Sequence, residues 1–286
     1  MTMPINLFLV RHGESEGNIA NRFSYNGDAS AFTEQFKSRP ISDWRLTDKG
    51  IMQAKAAGAW LYCNVISDLL PFDRLYTSYY VRAMETSIYL DLEGDWFPEV
   101  YLRERGWGEL DNMSMQERNE KYATEMKRRK HDGIFWAPAG GESLADVCLR
   151  ADRVLTTWHR EASNLDLLAT CHGEMMRGFE LRIERPPLDR FVEKINSDNE
   201  HDKIHNCQII HYTRRNPETG DLAPYVTHVR SVCPWDLTKS SNDWRPIVRQ
   251  RYTKDFLIDF VNKHPRMLGS DEDVRKLSQD EGNKND

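Results

Sequence analysis

The chain has 286 residues, 39% hydrophobic and 29% charged, a balance that supports a globular core and argues against a disordered or membrane-embedded chain. A net charge of −6 offers no basic surface for sequence-independent nucleic-acid binding, and no apolar run is long enough for a membrane span or a secretory leader. Five cysteines, odd in number and without metal-ligand spacing, read as reduced thiols of a cytoplasmic protein.

The first element is the apolar run Leu7-Phe8-Leu9-Val10, which ends abruptly in Arg11-His12-Gly13-Glu14-Ser15. A central parallel strand is apolar on both faces, and its carboxyl end meets the crevice where open α/β sheets bind ligands. Arg11 supplies a cation for an anionic ligand, and Gly13 allows close backbone approach. A His after a strand is in isolation more often a packed loop residue than a nucleophile, so the rest of the chain decides its role.

Residues 21–45 form a polar insertion carrying Phe23, Tyr25, Phe32, Phe36 and Trp44. A helix capped by Thr47 or Asp48 is expected through about Cys63. A second short strand, Arg74 to Tyr76, leads into Thr77-Ser78-Tyr79-Tyr80-Val81-Arg82-Ala83-Met84-Glu85-Thr86, with Ser78 or a neighbour capping a helix over Arg82 to Leu92. The segment from Leu102 to Gly108 carries Glu104 and opens a second insertion, 103–141, read as a charged helical lid. Ser143 and Asp146 spell a capping box for a long helix whose apolar positions Leu144, Val147, Cys148, Ala151, Val154, Leu155 and Trp158 share one face.

Leu167 to Glu174 then repeats the arrangement of a strand followed by His-Gly, at His172, and a helix from Met175 to Ile183 follows. Late strands are expected at Cys207 to Thr213 and Tyr225 to Val229, antiparallel at the sheet edge. The alternation argues for an α/β fold, a mostly parallel central sheet with helices on both faces, in one domain over 1–266. The tail 267–286 is acidic, poor in apolar residues, and expected to be mobile.

Taken jointly and in order, Arg11-His12-Gly13-Glu14-Ser15 with Asn18, the Thr77 to Thr86 block, the Glu104 segment and the second His-Gly resemble the histidine phosphatase superfamily (branch 1), the phosphoglycerate mutase-like enzymes, over about residues 5–230. The resemblance implies that His12 attacks phosphorus and becomes a phosphohistidine, that Arg11, Arg82 and His172 surround the phosphoryl group, and that Glu104 protonates the leaving oxygen and then activates water. It also implies Gly13 and Asn18 as neutral phosphate donors, no metal or other cofactor, and a small phosphorylated substrate. Arg105 is similar to a substrate-contacting Arg of mutase members, with a salt bridge as the equal alternative. At an effective dielectric of about 20, a charge pair 4 Å apart is worth roughly 4 kcal/mol, so two arginines can hold a dianion without metal.

Several residues admit a plainer reading. Glu109 competes with Glu104 for the acid role and is otherwise a surface or supporting carboxylate. Lys127-Arg128-Arg129-Lys130-His131 either attracts a polyanion or is a solvated helix face. Glu174 either orients Arg177 or is a carboxylate at a helix N-terminus. His159, His201, His205, His211, His228 and His264 are read as surface or packed residues. The longer insertion 21–45 and the sparse basic set, Arg105 with Arg128 and Arg129, favour hydrolysis over mutase transfer, and a non-catalytic phospho-ligand binder is the third reading. Nothing in the sequence indicates an oligomeric state.

Overall fold

The protein is described by a computed structural model covering residues 2–66, 71–266 and 268–270. Its elements in chain order are β1 (Asn6–Arg11), α1 (Glu16–Tyr25), α2 (Glu34–Lys37), α3 (Asp48–Leu61), β2 (Arg74–Ser78), α4 (Val81–Leu90), β3 (Trp96–Glu99), α5 (Met115–Lys121), α6 (Ala123–Asp132), α7 (Leu144–Glu161), β4 (Asp166–Cys171), α8 (Gly173–Ile183), α9 (Leu188–Ile195), β5 (Ile209–Thr213), β6 (His228–Val232), β7 (Arg245–Pro246) and α10 (Lys254–Asn262). The strands make one sheet in the order β3-β2-β4-β1-β5-β6-β7. Strands β3, β2, β4 and β1 run parallel, and β5, β6 and β7 extend the sheet antiparallel.

Strand alternation divides the core between two faces. Leu7 and Leu9 of β1 join Val147, Val154 and Trp158 of α7 and Met176 and Phe179 of α8. Phe8 and Val10 point the other way, to Ala54, Ala57 and Leu61 of α3 and Leu90 of α4. Successive side chains of a strand face opposite sides, so a continuous apolar run needs helices on both. The sheet is thus layered as the alternation of elements implies.

Helix boundaries follow their caps. Thr47 accepts from the Gly50 amide to start α3, and Ser143 with Asp146 forms the capping box of α7. The helix after β2 departs from expectation. Its N-cap is Tyr80 without a side-chain cap bond, while the Ser78 hydroxyl accepts from the Tyr80 amide at 3.3 Å and also meets His172 Nε2. The last long strand begins at His228 rather than Tyr225, and Tyr225 stays exposed. Insertion 103–141 contains α5 and α6, and within 21–45 Phe32 and Trp44 are buried, with Phe36 stacked on Trp44.

Residues up to Arg249 make one compact unit, and those from Gln250 a second. In the second unit Thr253 caps α10, along which Tyr252, Phe256 and Phe260 stack in sequence. Of the tail expected from 267, Met267 and 271–286 lie outside the described residues. Among the described residues no helix is long and apolar enough to cross a membrane. Cys148, Cys171, Cys207 and Cys233 are thiols outside any disulfide.

One close approach fixes the loop after β1 against α3. A Cβ on Gly13 would meet the Gly50 carbonyl oxygen at 2.4 Å, and one on Gly50 would meet the Glu14 carbonyl oxygen at 2.1 Å. Both neighbours are backbone, so neither can yield without moving the loop or the helix. Gly50→Ala is therefore expected to cost about 1–3 kcal/mol as overpacking, read as a lower denaturant midpoint at constant slope. An unchanged midpoint would show that α3 moves away freely.

Candidate active site

The register of β1 and β4 assembles the centre. Arg11 is paired with Cys171, and the His12 amide donates to the Cys171 carbonyl at 3.0 Å. The next residue of each chain segment is a histidine, so the two rings lie side by side with centroids 5.0 Å apart. Both are buried, His12 at 2% exposure and His172 at 0%.

Hydrogen bonding sets the tautomer of His12. Nδ1 lies 2.7 Å from the Gly13 carbonyl, which can only accept, so Nδ1 carries the proton. Nε2 therefore keeps its lone pair and accepts from Arg82 Nε at 3.2 Å. Burial, reinforced by Arg82 and Arg11, holds the His12 pKa well below the ordinary histidine range. The ring is neutral at physiological pH. His172 is held neutral by the same kind of forces, burial first; its Nε2 lies 2.9 Å from Ser78 Oγ, while Nδ1 is buried without a partner among the described residues.

The cations around these rings lack carboxylate partners among the described residues. Arg82, 4% exposed, donates to the Ile41 carbonyl as well as to His12. Arg11 donates from Nη1 to the Ile204 carbonyl, and its Nε is buried with no partner. Burial lowers the Arg82 pKa to about 10, still charged at neutral pH. Uncompensated guanidinium groups in a low-dielectric pocket are a standing demand for an anion.

Glu104 joins this group. One atom each from Glu104, His12 and His172 lies within 4.8 Å of the others. Burial raises the Glu104 pKa, and the nearby Glu174 raises it further. The carboxyl is thus biased towards its protonated form. Glu109, the competing carboxylate, is exposed and accepts from the Tyr122 hydroxyl at 3.1 Å. The same three groups could in principle face a cation, but the His12 lone pair is already directed at Arg82, and Arg11 and Arg82 give the pocket a sign that suits an anion.

Other expected residues take different places. Gly13 has no free donor to offer a phosphate, because its amide donates to Thr86 Oγ1 at 3.0 Å and its carbonyl holds His12. Its lack of a side chain serves the contact with Gly50 instead. Asn18 lines the cavity with His12 but spends its carbonyl oxygen on the Ser15 amide and on Asn206, leaving its NH2 group as the donor. Arg105 is clamped to the Glu142 and Trp136 carbonyls and lies 3.6 Å from Glu174. Glu174 thus pairs with Arg105 rather than orienting Arg177, whose partners are Glu180 and the Asp202 carbonyl.

The structure also brings in residues the sequence reading missed. Arg150, on the buried side of α7, donates to both Glu142 oxygens at 2.8 and 3.0 Å and to the Tyr101 and Arg103 carbonyls at 2.7 and 3.0 Å. Glu142 in turn accepts from Arg103 and from the Gly106 amide. This network fixes the segment bearing Glu104. A charged residue inside the apolar stripe of a capped helix was the available signal. Asn206 donates to the His12 carbonyl and to Asn18, and Asp111, raised to about 6 by burial, lines the same cavity. No local motif marks either residue.

The model of the histidine phosphatase superfamily (branch 1) matches residues 7–208. The chain is 31% identical over 199 residues to a 2,3-bisphosphoglycerate-dependent phosphoglycerate mutase 2 from Gloeobacter violaceus, covering 66% of this chain and 80% of that protein. It is 25% identical over 271 residues, 85% of this chain and 79% of the other, to the phosphoglycerate mutase-like protein AT74 of Arabidopsis thaliana. The alpha-ribazole phosphatase from Shigella flexneri shares the fold, with a TM-score of 0.57 at 17% identity over 77% of this chain and 95% of that one. The match over most of the sheet and both His-Gly turns places the chain in branch 1 of the histidine phosphatase superfamily.

Proposed function

We propose that the protein is a phosphomonoester hydrolase acting on a small phosphorylated molecule through a phosphohistidine on His12. The observation that carries this reading is the His12 tautomer. Its unprotonated Nε2 is directed into a pocket with two charged arginines that lack carboxylates.

In the first step Nε2 attacks phosphorus, and the bond from phosphorus to the ester oxygen breaks. Arg11 and Arg82 hold the equatorial oxygens, with His172 and the Asn18 NH2 as further contacts. Glu104 gives its proton to the departing oxygen, releasing an alcohol. In the second step the Glu104 carboxylate takes a proton from water, the water oxygen bonds to phosphorus, and the P–N bond breaks. Inorganic phosphate leaves, and both His12 and Glu104 return to their starting protonation states.

The alternative is mutase transfer, which the names of the Gloeobacter violaceus and Arabidopsis thaliana relatives favour. It would return the phosphoryl group to a bound acid whose carboxylate needs cations of its own. Every cation of insertion 21–45 is already engaged: Arg22 with Glu14, Lys37 with Glu117, Arg39 with Glu16 and Arg45 with Glu85. Of the pair in α6, Arg128 is tied to Glu125 and Asp132, and only Arg129 is left without a carboxylate among the described residues of that pair. Hydrolysis asks for none of these.

Wild-type protein quenched in turnover should carry stoichiometric acid-labile phosphate that is lost in His12→Ala. Phosphate on a serine or cysteine would sink the mechanism. Activity should survive a chelator, and loss restored specifically by one divalent ion would overturn a metal-free reading. With 3-phosphoglycerate, inorganic phosphate should be the product even with a bisphosphate primer present, whereas accumulation of 2-phosphoglycerate would establish the mutase.

Glu104→Gln should slow an alkyl phosphate by about 10²–10⁴-fold and an aryl phosphate much less, because a phenolate leaves without help. The sign of the pH dependence follows from the two shifts. His12 is depressed, so it stays reactive as pH falls through the ordinary histidine range. Glu104 is raised, so the free enzyme loses its acid as pH rises through that pKa, and activity on alkyl phosphates should fall there. The alkaline limb should be missing in Glu104→Gln, and an unchanged limb would assign it to another group.

A further inference from the structure

Two cavities meet at Glu104 and Arg105. The smaller, about 220 Å³, holds His12 and Arg82. The larger, about 690 Å³, starts at Arg11 and Glu104 and runs between α6 and α9. Ligand cavities of ~300–1,000 Å³ accommodate molecules of drug size, so the larger space far exceeds the requirement of a phosphoryl group and a short acid. It opens on the side of the proton donor, where the leaving group of a phosphoester must lie.

Its walls are of two kinds. Met126 and Ile134, together with Val192 and Ile195 of α9, supply apolar surface to its lining. Near Glu104 the lining carries Glu174, which repels an anion. Arg129 and Lys130 of α6 both line the cavity, and neither has a carboxylate partner among the described residues; Arg129 is the one held by aromatic rings. Its guanidinium sits over the Trp107 ring at 5.0 Å and over Trp136 at 5.9 Å, and no carboxylate pairs with it among the described residues. Lys203 is paired with Glu200, and Arg105 with Glu174. Stacking fixes the Arg129 side chain and leaves its donors to a ligand.

Building on the hydrolase reading, we infer that the α6–α9 cavity is a leaving-group site for a phosphomonoester with an extended apolar body and an anionic terminus, the body lying along Val192 and Ile195 and the terminus on Arg129. The substrate class is thus a long amphiphilic phosphoester rather than a three-carbon acid. The charge run of α6 divides accordingly: Arg128 is spent on its own helix, while Arg129 faces the cavity.

The test compares kcat/KM for three esters: phenyl phosphate, biphenyl-4-yl phosphate, and the biphenyl phosphate bearing a distal 4′-carboxylate. Wild type should prefer the carboxylated biphenyl ester to phenyl phosphate by tenfold or more. Val192→Asp should reduce the ratio of either biphenyl ester to phenyl phosphate by about tenfold, since a charge replaces an apolar contact. Arg129→Gln should reduce the ratio of carboxylated to plain biphenyl ester by a similar factor and leave the ratio of plain biphenyl to phenyl unaffected. These ratios do not depend on the fraction of folded enzyme. Turnover of phenyl phosphate with no preference among the esters, or with ratios unmoved by both variants, would overturn the leaving-group site alone. If wild type turned over none of the three, the hydrolase reading would fall, and the inference with it.

Discussion

The pairing of β1 with β4 is the constraint on which the site depends. Two parallel strands that end level, Arg11 opposite Cys171, deliver their next residues to one spot, and both are histidines. No side-chain interaction is needed to bring them together, because the backbone ladder and the His12 amide on the Cys171 carbonyl do so. A slip of one residue would turn every apolar side chain of β1 to the wrong face. The site geometry therefore shares its guarantee with the core: Leu7 and Leu9 can meet α7 and α8 only in the register that sets the rings 5.0 Å apart.

Upon that scaffold the charges are arranged at a cost to the unliganded fold. Burying guanidinium groups without carboxylates is unfavourable, and carbonyls of Ile41 and Ile204 compensate only in part. Burial first, and then the same positive field, holds the pKa values of His12 and His172 well below the ordinary histidine range. The arginines also pull the Glu104 pKa down, but burial and Glu174 outweigh them and the net shift is upward. One pocket thus holds a neutral base and a carboxyl biased towards protonation, a separation produced by environment alone. A bound phosphoryl dianion would relieve the arginines and push the Glu104 pKa up further.

Much of this was legible in the sequence where structure is local. Apolar strands followed by His-Gly announced His12 and His172, and the Ser143 capping box announced α7 within a residue. Glu104 was separable from Glu109 because the motif around it was specific. What was not legible depends on contacts between distant segments. Gly13 reads as a phosphate donor until the Thr86 hydroxyl, 73 positions away, is seen to take its amide. Ser78 reads as a cap alone, and its hydroxyl is seen to be shared between the Tyr80 amide and His172. Arg105 and Glu174 each suit several partners, and their mutual pairing follows only from how α8 faces the Glu104 segment. Asn206 carries no motif at all and reaches His12 from 194 positions along the chain.

The acid is anchored differently from the histidines, and this bears on how such a chain can change substrate. Glu104 lies on a segment of irregular backbone beyond β3, outside the sheet's hydrogen-bond ladder. Its position comes from Arg150, which binds the carbonyls of Tyr101 and Arg103 and, through Glu142, the Gly106 amide. These bonds hold the segment at both ends of the acid, and the Trp136 carbonyl adds one further bond to Arg105 beside it. Residues of α5 and α6 make none of these bonds to the Glu104 segment, and α6 lines the cavity between α6 and α9. On the proposed reading, phosphoryl chemistry would rest on the β1–β4 register, acid placement on α7, and selection of the leaving group on α6 and α9, three sets of residues with few members in common. Separation of that kind lets one constellation of His, Arg and Glu serve leaving groups of different shape, because a change in one set need not disturb the others.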